Sequence, residues 1–289
     1  MQWKGFTLLT SLRQEWFKDI TNYNAPGEAF FTNTALLPRI GLSYAVNKWL
    51  NVYGTYLRGF QPQSNTVTLM PNTGSFFNTA RSAAQFKPLE SDLREVGTKA
   101  DLWQNKLRVT AAAYEINQRN LLLNANIPAF PDSLTTRGAE RSRGVEFEVA
   151  GFIMPNWQIN ASYSYIDARI VEENDKNLIG ARKPNVPYNS ANLWTRYNFP
   201  SFSVLKDLGV GVGVQHVGDR IPWFTRDFRV PAFTIMDMAL YYTPSNTHVQ
   251  LAVNVNNIWN ETYWVGAQTF QRLFPGAPRN VLATATYRF

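Results

Sequence analysis

The 289-residue chain contains no cysteine, which excludes disulfide frameworks, thiolate nucleophiles and cysteine-ligated metal sites. Histidine is almost as scarce, because only His216 and His248 occur. Each lies within an alternating pattern typical of β-strands, which favours a packed or interfacial side chain over a catalytic one. We therefore predict neither a metal site nor a catalytic residue.

Long hydrophobic runs are also missing. No segment approaches the roughly 18 to 20 consecutive apolar residues that a membrane-spanning helix needs, which excludes a helical membrane protein. Transmembrane β-strands would escape this test, because their lipid-facing and lumen-facing residues alternate and average to a polar composition. Aromatic residues reach 14% of the chain, which suits the aromatic girdles of a membrane barrel but also a carbohydrate-binding β-protein.

The net charge of +7 is not concentrated in any one segment. Lysine and arginine are scattered along the chain instead of clustering on one helix or stripe, so we expect no nucleic-acid partner. We interpret the charge as belonging to a wet lumen and to exposed loops.

Period-2 runs bounded by turn residues predict about twelve strands, each near the ~9 to 11 residues that a tilted membrane strand requires. The predicted spans are 4–15, 36–46, 49–60, 90–102, 106–119, 139–153, 157–170, 189–199, 205–218, 231–243, 247–258 and 279–289.

The predicted connections alternate between short and long along the whole chain. Short turns fall at 46–48, 103–105, 154–156, 200–204 and 244–246, and long loops at 16–35, 61–89, 120–138, 171–188, 219–230 and 259–278. Outer-membrane barrels have this asymmetry, whereas a soluble sandwich has no reason to keep it. We predict an all-β fold, a transmembrane antiparallel up-and-down β-barrel segment of about 12 strands with short periplasmic turns and long extracellular loops.

Side-chain alternation assigns the two faces of the predicted strands. Near the end of the chain, one face carries Val249, Leu251, Val253 and Val255, and the other carries Gln250, Ala252, Asn254 and Asn256. The first face suits lipid and the second suits a wet lumen. We expect a lumenal polar network of Arg143, Glu146, Glu148 and Asp237, while Tyr53, Tyr56 and Tyr114 do not all fit one face.

The last predicted strand ends on Tyr287-Arg288-Phe289. Tyr287 and Phe289 share a face with the apolar residues at alternate positions before them. This pattern resembles the C-terminal signal read by the outer-membrane barrel-assembly machinery, so we predict that machinery as a partner and these two residues as its signal.

From about Pro38 onward, a series of motifs resembles the C-terminal barrel of TonB-dependent siderophore receptors, the ferrichrome, ferrioxamine and pyoverdine receptor group. The most specific motif is GAERSRGVEFE at residues 138–148, followed by YSYIDA at 163–168. The others lie at 38–44, 50–53, 59–62, 87–91, 95–100, 114–116 with Asn120, 184–187, 217–220, 254–258 with Tyr263, and 275–279. Each is weak alone, but their order along most of the chain is specific.

The resemblance implies a bacterial outer-membrane receptor that takes up ferric siderophores and is energised by the TonB system. In that family a barrel of about 22 strands encloses an N-terminal plug. The sequence starts Met1-Gln-Trp-Lys without the pattern of a signal peptide. We expect residues 1–289 to be the C-terminal portion of the barrel, in contact with outer-membrane lipid, with no plug domain or signal peptide. Such a segment has two open strand edges and is not expected to transport anything unaided.

Aromatic residues in the long loops are the candidate ligand-binding residues implied by the resemblance. They are Phe60, Phe86, Trp223, Phe224, Trp264 and Phe270, and the competing interpretation is that several of them are interfacial girdle residues. The siderophore already fills the coordination sphere of iron, so the ferric siderophore is a substrate and no cofactor is expected.

Two other functions stay open. The first is a self-closed twelve-stranded outer-membrane porin or channel, which is a permitted barrel size. The second is a barrel enzyme, which needs convergent serine, histidine and acidic groups; His216 has Asp219 nearby in sequence, but no nucleophile motif accompanies them. We therefore expect a protein that is not an enzyme.

Overall fold

The structure, a computed structural model, describes residues 2–21, 29–63, 87–124, 134–223, 228–245, 247–269 and 272–289. These residues form fifteen strands and one 3₁₀ turn at Lys176–Leu178. The strands are β1 (Gln2–Trp3), β2 (Phe6–Thr21), β3 (Ala29–Ala45), β4 (Leu50–Gln61), β5 (Leu89–Leu102), β6 (Leu107–Asn124), β7 (Leu134–Met154), β8 (Trp157–Glu172), β9 (Asn189–Asn198), β10 (Leu208–Val217), β11 (Phe233–Tyr242), β12 (Val249–Asn256), β13 (Trp264–Thr269), β14 (Arg272–Pro275) and β15 (Asn280–Tyr287).

Thirteen of these strands form one antiparallel sheet, in which each strand pairs with its neighbours in the chain, in the order β1 to β12 and then β15. The twelve strands predicted from the sequence are confirmed as β2 to β12 and β15. The sequence analysis missed β1, which pairs with the start of β2, and the separate hairpin of β13 and β14 inside the last long loop. Among the described residues, β2 and β15 do not pair with each other, so the sheet has two edges.

Neighbouring strands hold their side chains in rows, because residues directly opposite each other in the ladder point to the same face. One row contains Tyr53, Gly97, Ala112, Glu146 and Ser164. The adjacent row, on the opposite face, contains Gly54, Val96, Ala113, Val145 and Tyr165. The first is the lumenal face and the second is the outer, lipid-facing face.

The same parity extends to the last strands. Leu251 and Val253 of β12 lie opposite Ala285 and Ala283 of β15 on the outer face, and the side chains of both β12 residues are about two-fifths exposed. Tyr287 lies opposite Val249 on the outer face, as predicted, whereas the face of Phe289, which follows the strand, stays a prediction. The Phe289 ring packs edge-on against Tyr287, with 5.1 Å between the ring centroids.

The strand register places Arg143 on the face opposite to the predicted one and assigns faces to the three tyrosines. Arg143 does not join a lumenal network, because it lies opposite Glu115 and Asp167 on the outer face. Its odd position matches Val145, not Glu146, and strand alternation therefore sends it outward. The three tyrosines do not share one face, as the sequence indicated. Tyr53 and Tyr114 lie on the lumenal face, and Tyr56 lies on the outer face.

The asymmetry of loops and turns holds for most of the connections, but several predicted loops are shorter than expected, and the predicted short turn at 200–204 is a nine-residue connection between Asn198 and Leu208. Strand β2 continues to Thr21, β3 begins at Ala29, β6 continues to Asn124 and β7 begins at Leu134. Ladder hydrogen bonds do not depend on side-chain polarity, so hairpins continue past the point where the apolar alternation ends. The predicted loop segments 22–28, 64–86, 125–133 and 224–227 lie outside the described residues.

No helix in the described part of the chain is long and apolar enough to cross a membrane.

Two lumenal glycines make room for tyrosine rings across the ladder. A Cβ atom on Gly97 would lie 2.6 Å from the Tyr53 hydroxyl, and one on Gly144 would lie 2.6 Å from the Tyr114 ring. The Tyr53 hydroxyl donates a hydrogen bond to Glu95 Oε1 at 2.7 Å. Glycine at these positions therefore allows each tyrosine to lie flat along the wall, and the sequence motif GAERSRGVEFE contains Gly144 for this structural reason.

A methyl group at Gly144 is expected to destabilise the sheet. The Gly144→Ala Cβ would also meet the Tyr165 carbonyl oxygen at 2.7 Å, which is backbone and cannot move aside cheaply. We expect a loss of about 1 to 3 kcal/mol in the free energy of unfolding, measured by urea titration of the full chain folded in lipid vesicles. Gly54→Ala is the matched control, because its Cβ would lie 3.9 Å from its nearest neighbours, which is ordinary van der Waals contact. Equal unfolding midpoints for the two variants would contradict this packing role.

Candidate functional site: a loop assembly above the last strands

Three long loops on one end of strands β8 to β12 pack into a single structure, which we call the loop assembly. It consists of residues 173–188, 218–223 with 228–232, and 257–269 with 272–279. Its centre is apolar and buried: Val230 is fully buried, and Ile221 and Ala267 are less than a tenth exposed. Loops with their own apolar core hold their side chains in fixed positions, as a binding site requires.

Asn185 connects all three loops. Its backbone N–H donates to the Ile221 carbonyl oxygen at 2.9 Å, which ties the first loop to the second. Its side-chain amide exchanges two hydrogen bonds with the backbone of Ala267 in β13, donating at 2.5 Å and accepting at 2.9 Å. The backbone of Asn185 is left-handed, with φ of 61°, a conformation that asparagine tolerates better than most residues.

Arg220 holds the β13–β14 hairpin from the second loop. Its guanidinium donates to the carbonyl oxygens of Val265 at 2.6 Å and Trp264 at 2.5 Å, and its backbone exchanges two hydrogen bonds with Val230. The residue is only 4% exposed, and its Nε is buried without a hydrogen-bond partner. Burial lowers the pKa of Arg220 from its usual value. The guanidinium is therefore used to fix the hairpin, not to meet solvent.

Asp219 pairs with two arginines beside this hairpin, and the three side chains together have a net charge of +1. Its Oδ2 accepts hydrogen bonds from Arg182 at 3.2 Å and from Arg229 at 2.9 Å. The Arg182 guanidinium also lies 3.8 Å from the centroid of the Tyr188 ring. Burial alone would raise the pKa of Asp219, but the bonds and charges of the two arginines outweigh it and lower the pKa. The carboxylate is therefore charged at neutral pH, and this contact is lost only as the pH falls through the lowered value.

Asn257 closes the base of the third loop. It is 2% exposed, and its side-chain amide donates to the carbonyl oxygens of Glu261 at 2.8 Å and Ala277 at 3.2 Å. Its backbone N–H donates to Asp237 Oδ1 at 2.7 Å, so the lumenal aspartate of β11 supports the loop. The buried amide satisfies backbone groups that would otherwise be unpaired.

The structure describes three of the six predicted ligand-binding aromatics. Phe60 stacks on Phe17 of β2, with 5.2 Å between the ring centroids, so its ring packs between strands. Trp223 follows the buried Pro222 in the second loop and is 43% exposed, while Trp264 begins β13 and is half-buried. Phe86, Phe224 and Phe270 lie outside the described residues.

Trp223 and Trp264 thus belong to one structure that also exposes other aromatic and cationic groups. Phe228 is 39% exposed, Phe274 is 49% exposed and the Arg229 side chain is 63% exposed. Exposed apolar rings and a guanidinium in one loop assembly suit a ligand that combines apolar surface with negative charge.

Sequence reasoning missed the residues that build the assembly, namely Arg182, Asn185, Arg220 and Asn257. Three of them stand inside motifs noted for the family resemblance, at 184–187, 217–220 and 254–258. The motifs located these positions but did not reveal their partners, because the partner atoms are mostly backbone carbonyls of distant loops.

Comparison with known proteins identifies the same family as the sequence motifs do. The family model described as "TonB dependent receptor-like, beta-barrel" matches residues 1–258. The metal-pseudopaline receptor CntO of Pseudomonas aeruginosa strain UCBPP-PA14 is 28% identical over 260 residues, which cover 89% of this chain and 34% of that receptor. The ferrichrome outer membrane transporter/phage receptor of Escherichia coli K12 is 27% identical, covering 87% of this chain and 32% of that protein. The chain thus spans about a third of the length of these relatives.

Solved structures share the fold. The siderophore receptor PiuA from Acinetobacter baumannii superposes with a TM-score of 0.81 and 22% sequence identity, covering 98% of this chain and 41% of that chain. The ferric-catecholate import receptor Fiu from Escherichia coli K12 superposes with a TM-score of 0.79 and 22% identity, covering 99% of this chain and 43% of that chain.

Removing the Arg220 guanidinium is expected to release the β13–β14 hairpin. Arg220→Met leaves the carbonyl oxygens of Trp264 and Val265 without their charged donor. We expect the hairpin amides to exchange with deuterium roughly thirtyfold faster, which corresponds to about 2 kcal/mol. Arg229→Met is the control, because its mostly exposed side chain contacts Asp219 and not the hairpin. Unchanged exchange in Arg220→Met would show that the hairpin is held by other contacts.

Proposed function

The chain belongs to the TonB-dependent receptor β-barrel family, and from this premise we propose that it forms part of an outer-membrane receptor for the uptake of ferric siderophores. The family consists of transport receptors, which are located in the outer membrane. The observation that supports the proposal most directly is the loop assembly, which holds exposed aromatic and arginine side chains at the long-loop end of a barrel wall.

The chemistry of the loop assembly fits a ferric chelate. Such chelates offer ring or hydroxamate surfaces and frequently a negative charge, which match the exposed rings of Trp223 and Phe274 and the exposed guanidinium of Arg229. Iron needs no ligand from the protein, since the siderophore supplies its coordination sphere. The ferric siderophore is therefore the substrate, and the receptor requires no cofactor.

Transport against a gradient needs an energy source and a route through the barrel. We assign these to the TonB system acting on the receptor as a whole, since the chain corresponds to about a third of the length of its curated relatives. Insertion is assigned to the barrel-assembly machinery, which would recognise Tyr287 on the outer face of the last strand and the Phe289 ring packed against it. No enzymatic activity is proposed.

A self-closed twelve-stranded porin is less consistent with the described strands. Closure requires β15 to pair with the free edge of β2, but β1 pairs with that edge at Thr7 and Phe6. Among the described residues β1 covers only the first two residues of β2, and no pairing joins β2 to β15, so the described sheet is open and not closed on itself.

Substitution of the loop tryptophans tests the binding function. The full chain, supplied with a signal peptide, is isolated from outer membranes and titrated with ferric hydroxamate and ferric catecholate siderophores, following intrinsic tryptophan fluorescence. We expect one of these chelates to quench the fluorescence saturably, and Trp223→Ala and Trp264→Ala each to weaken its binding about tenfold, as is typical when an aromatic anchor is truncated.

The control is Trp157→Ala, at the short-turn end of the outer face, where the indole Nε1 donates to Thr195 Oγ1. It should leave chelate binding unchanged. A heat-modifiable outer-membrane protein that conducts ions but binds none of the chelates would contradict the receptor function and support the porin.

A further inference from the structure

The connection between β9 and β10 differs from the other turns at the short-turn end of the wall. It spans residues 199–207, with the sequence FPSFSVLKD, whereas the other connections at this end have two to six residues. Phe202 is 90% exposed and Val204 is 100% exposed, and among the described large apolar residues only the terminal Phe289 is exposed to the same degree. We call residues 199–207 the apolar connection, because its extra length presents apolar side chains at the surface.

Hydrogen bonds between backbone groups hold the apolar connection in one shape. The N–H of Ser203 donates to the Pro200 carbonyl oxygen at 2.9 Å, and the N–H of Lys206 donates to the Ser203 carbonyl oxygen at 3.1 Å. A third turn follows, in which the N–H of Leu208 donates to the Leu205 carbonyl oxygen at 2.8 Å. Because these turns pair the backbone locally, the connection presents its apolar side chains in fixed positions.

The end of the apolar connection is fastened to the neighbouring turn. The Asp207 carbonyl oxygen accepts a hydrogen bond from the N–H of Thr243 at 2.8 Å. Its Oδ1 accepts one from the N–H of Ser245 at 3.2 Å and another from the Ser245 hydroxyl. The connection therefore lies along the rim of the wall, from β9 to the turn after β11.

The apolar connection continues the lipid-facing surface of the wall. The N–H of Phe199 donates to the Leu208 carbonyl oxygen at 3.0 Å, so these two residues extend the ladder with the outer-face parity of Tyr197 and Val210. The rings of Trp157, Tyr197 and Phe199 form a chain of edge-on contacts, with 6.5 and 5.4 Å between successive centroids. Aromatic rings at the outer rim of a barrel lie at the interface between lipid and water.

The lumenal side of the same rim is polar. Asn198 and Tyr241 lie in one lumenal row, on the two sides of Gly209. The Arg196 guanidinium lies 3.7 Å from the centroid of the Tyr241 ring. Exposed phenylalanine and valine side chains therefore match the aromatic outer side of the rim and not its lumenal side. Lipid adjoins that outer side, and contact with lipid would remove these side chains from water.

We propose that the apolar connection is a membrane anchor that inserts into the periplasmic leaflet of the outer membrane. Phe202, Val204 and Leu205 enter the boundary between headgroups and acyl chains, and the ammonium group of Lys206 stays on the aqueous side. The anchor fixes the depth of the β9–β10 hairpin in the bilayer. It depends on the lipid-facing position of the wall, and not on the uptake of siderophores, which is assigned to the opposite end of the strands.

Single cysteines carrying an environment-sensitive fluorophore test the anchor, because the chain has no cysteine of its own. The full chain is isolated from outer membranes, labelled, and reconstituted into phosphatidylcholine vesicles with ordinary or brominated acyl chains. We expect the emission of Phe202→Cys and Val204→Cys to shift to the blue and to be quenched by brominated lipid, as that of Val253→Cys in the lipid-facing wall should be. Lys48→Cys, in the exposed turn after β3, is the control and should emit as in water without quenching.

A second set of variants separates the side chains from the label. With the fluorophore at Leu205→Cys, the double variant Phe202→Ser/Val204→Ser should lose both the blue shift and the quenching. The matched control Phe202→Leu/Val204→Ile keeps apolar side chains and should retain both. Neither side chain is buried against the wall, so heat-modifiability on gels should be the same in all of these variants.

Four results would overturn the proposal. Water-like emission at 202 and 204, with quenching at 253, would place the connection in the periplasm. A blue shift that brominated lipid does not quench would show that protein covers the connection. Unchanged quenching at 205 in the serine double variant would show that the label enters lipid without the two side chains. Absence of quenching at 253 would remove the lipid-facing wall on which the anchor depends.

Discussion

A bilayer offers no hydrogen-bond partners to the backbone, so each N–H and C=O group of a membrane-spanning strand must be paired with a neighbouring strand. The meander from β2 to β12 and β15 satisfies this requirement for every strand except those at the two edges. The alternation of side chains follows from the same ladder, because opposite residues share a face. The lumen and the lipid surface are therefore both consequences of one backbone register.

The ladder also determines where function can be placed. Within the wall, each position is committed either to lipid or to the lumen, and close packing such as that of Tyr114 over Gly144 leaves little freedom. The loops at the long-loop end of the wall are not under this constraint, and they pack into a second, smaller core around Val230. Asn185 and Arg220 supply there the hydrogen bonds that the ladder supplies in the wall. This assembly exposes Trp223 and Arg229 at the long-loop end of the wall.

Most of the wall could be predicted from the sequence, because a period of two and the alternation of loop lengths are local signals. The charge of Arg143 suggests a lumenal position, but its parity with Val145 puts it on the outer face. The ends of β2, β3, β6 and β7 were not predictable, since the hairpins extend beyond the apolar alternation. The loop assembly could not be predicted either: Asn185 contacts Ala267, 82 residues further along the chain, through backbone atoms that carry no sequence signal. Motifs indicated which loop positions matter, but not what they contact.

The central claim, that this chain is a membrane barrel wall with one lipid face and one wet face, is open to a direct test because the chain has no cysteine of its own. Single cysteines placed at successive positions from Gln250 to Asn254 of β12 are reacted in outer-membrane fractions with a charged, membrane-impermeant maleimide. The account predicts labelling at 250, 252 and 254, whose side chains face the lumen, and protection at 251 and 253, whose side chains face lipid. Uniform labelling at all five positions, or the opposite alternation, would contradict it.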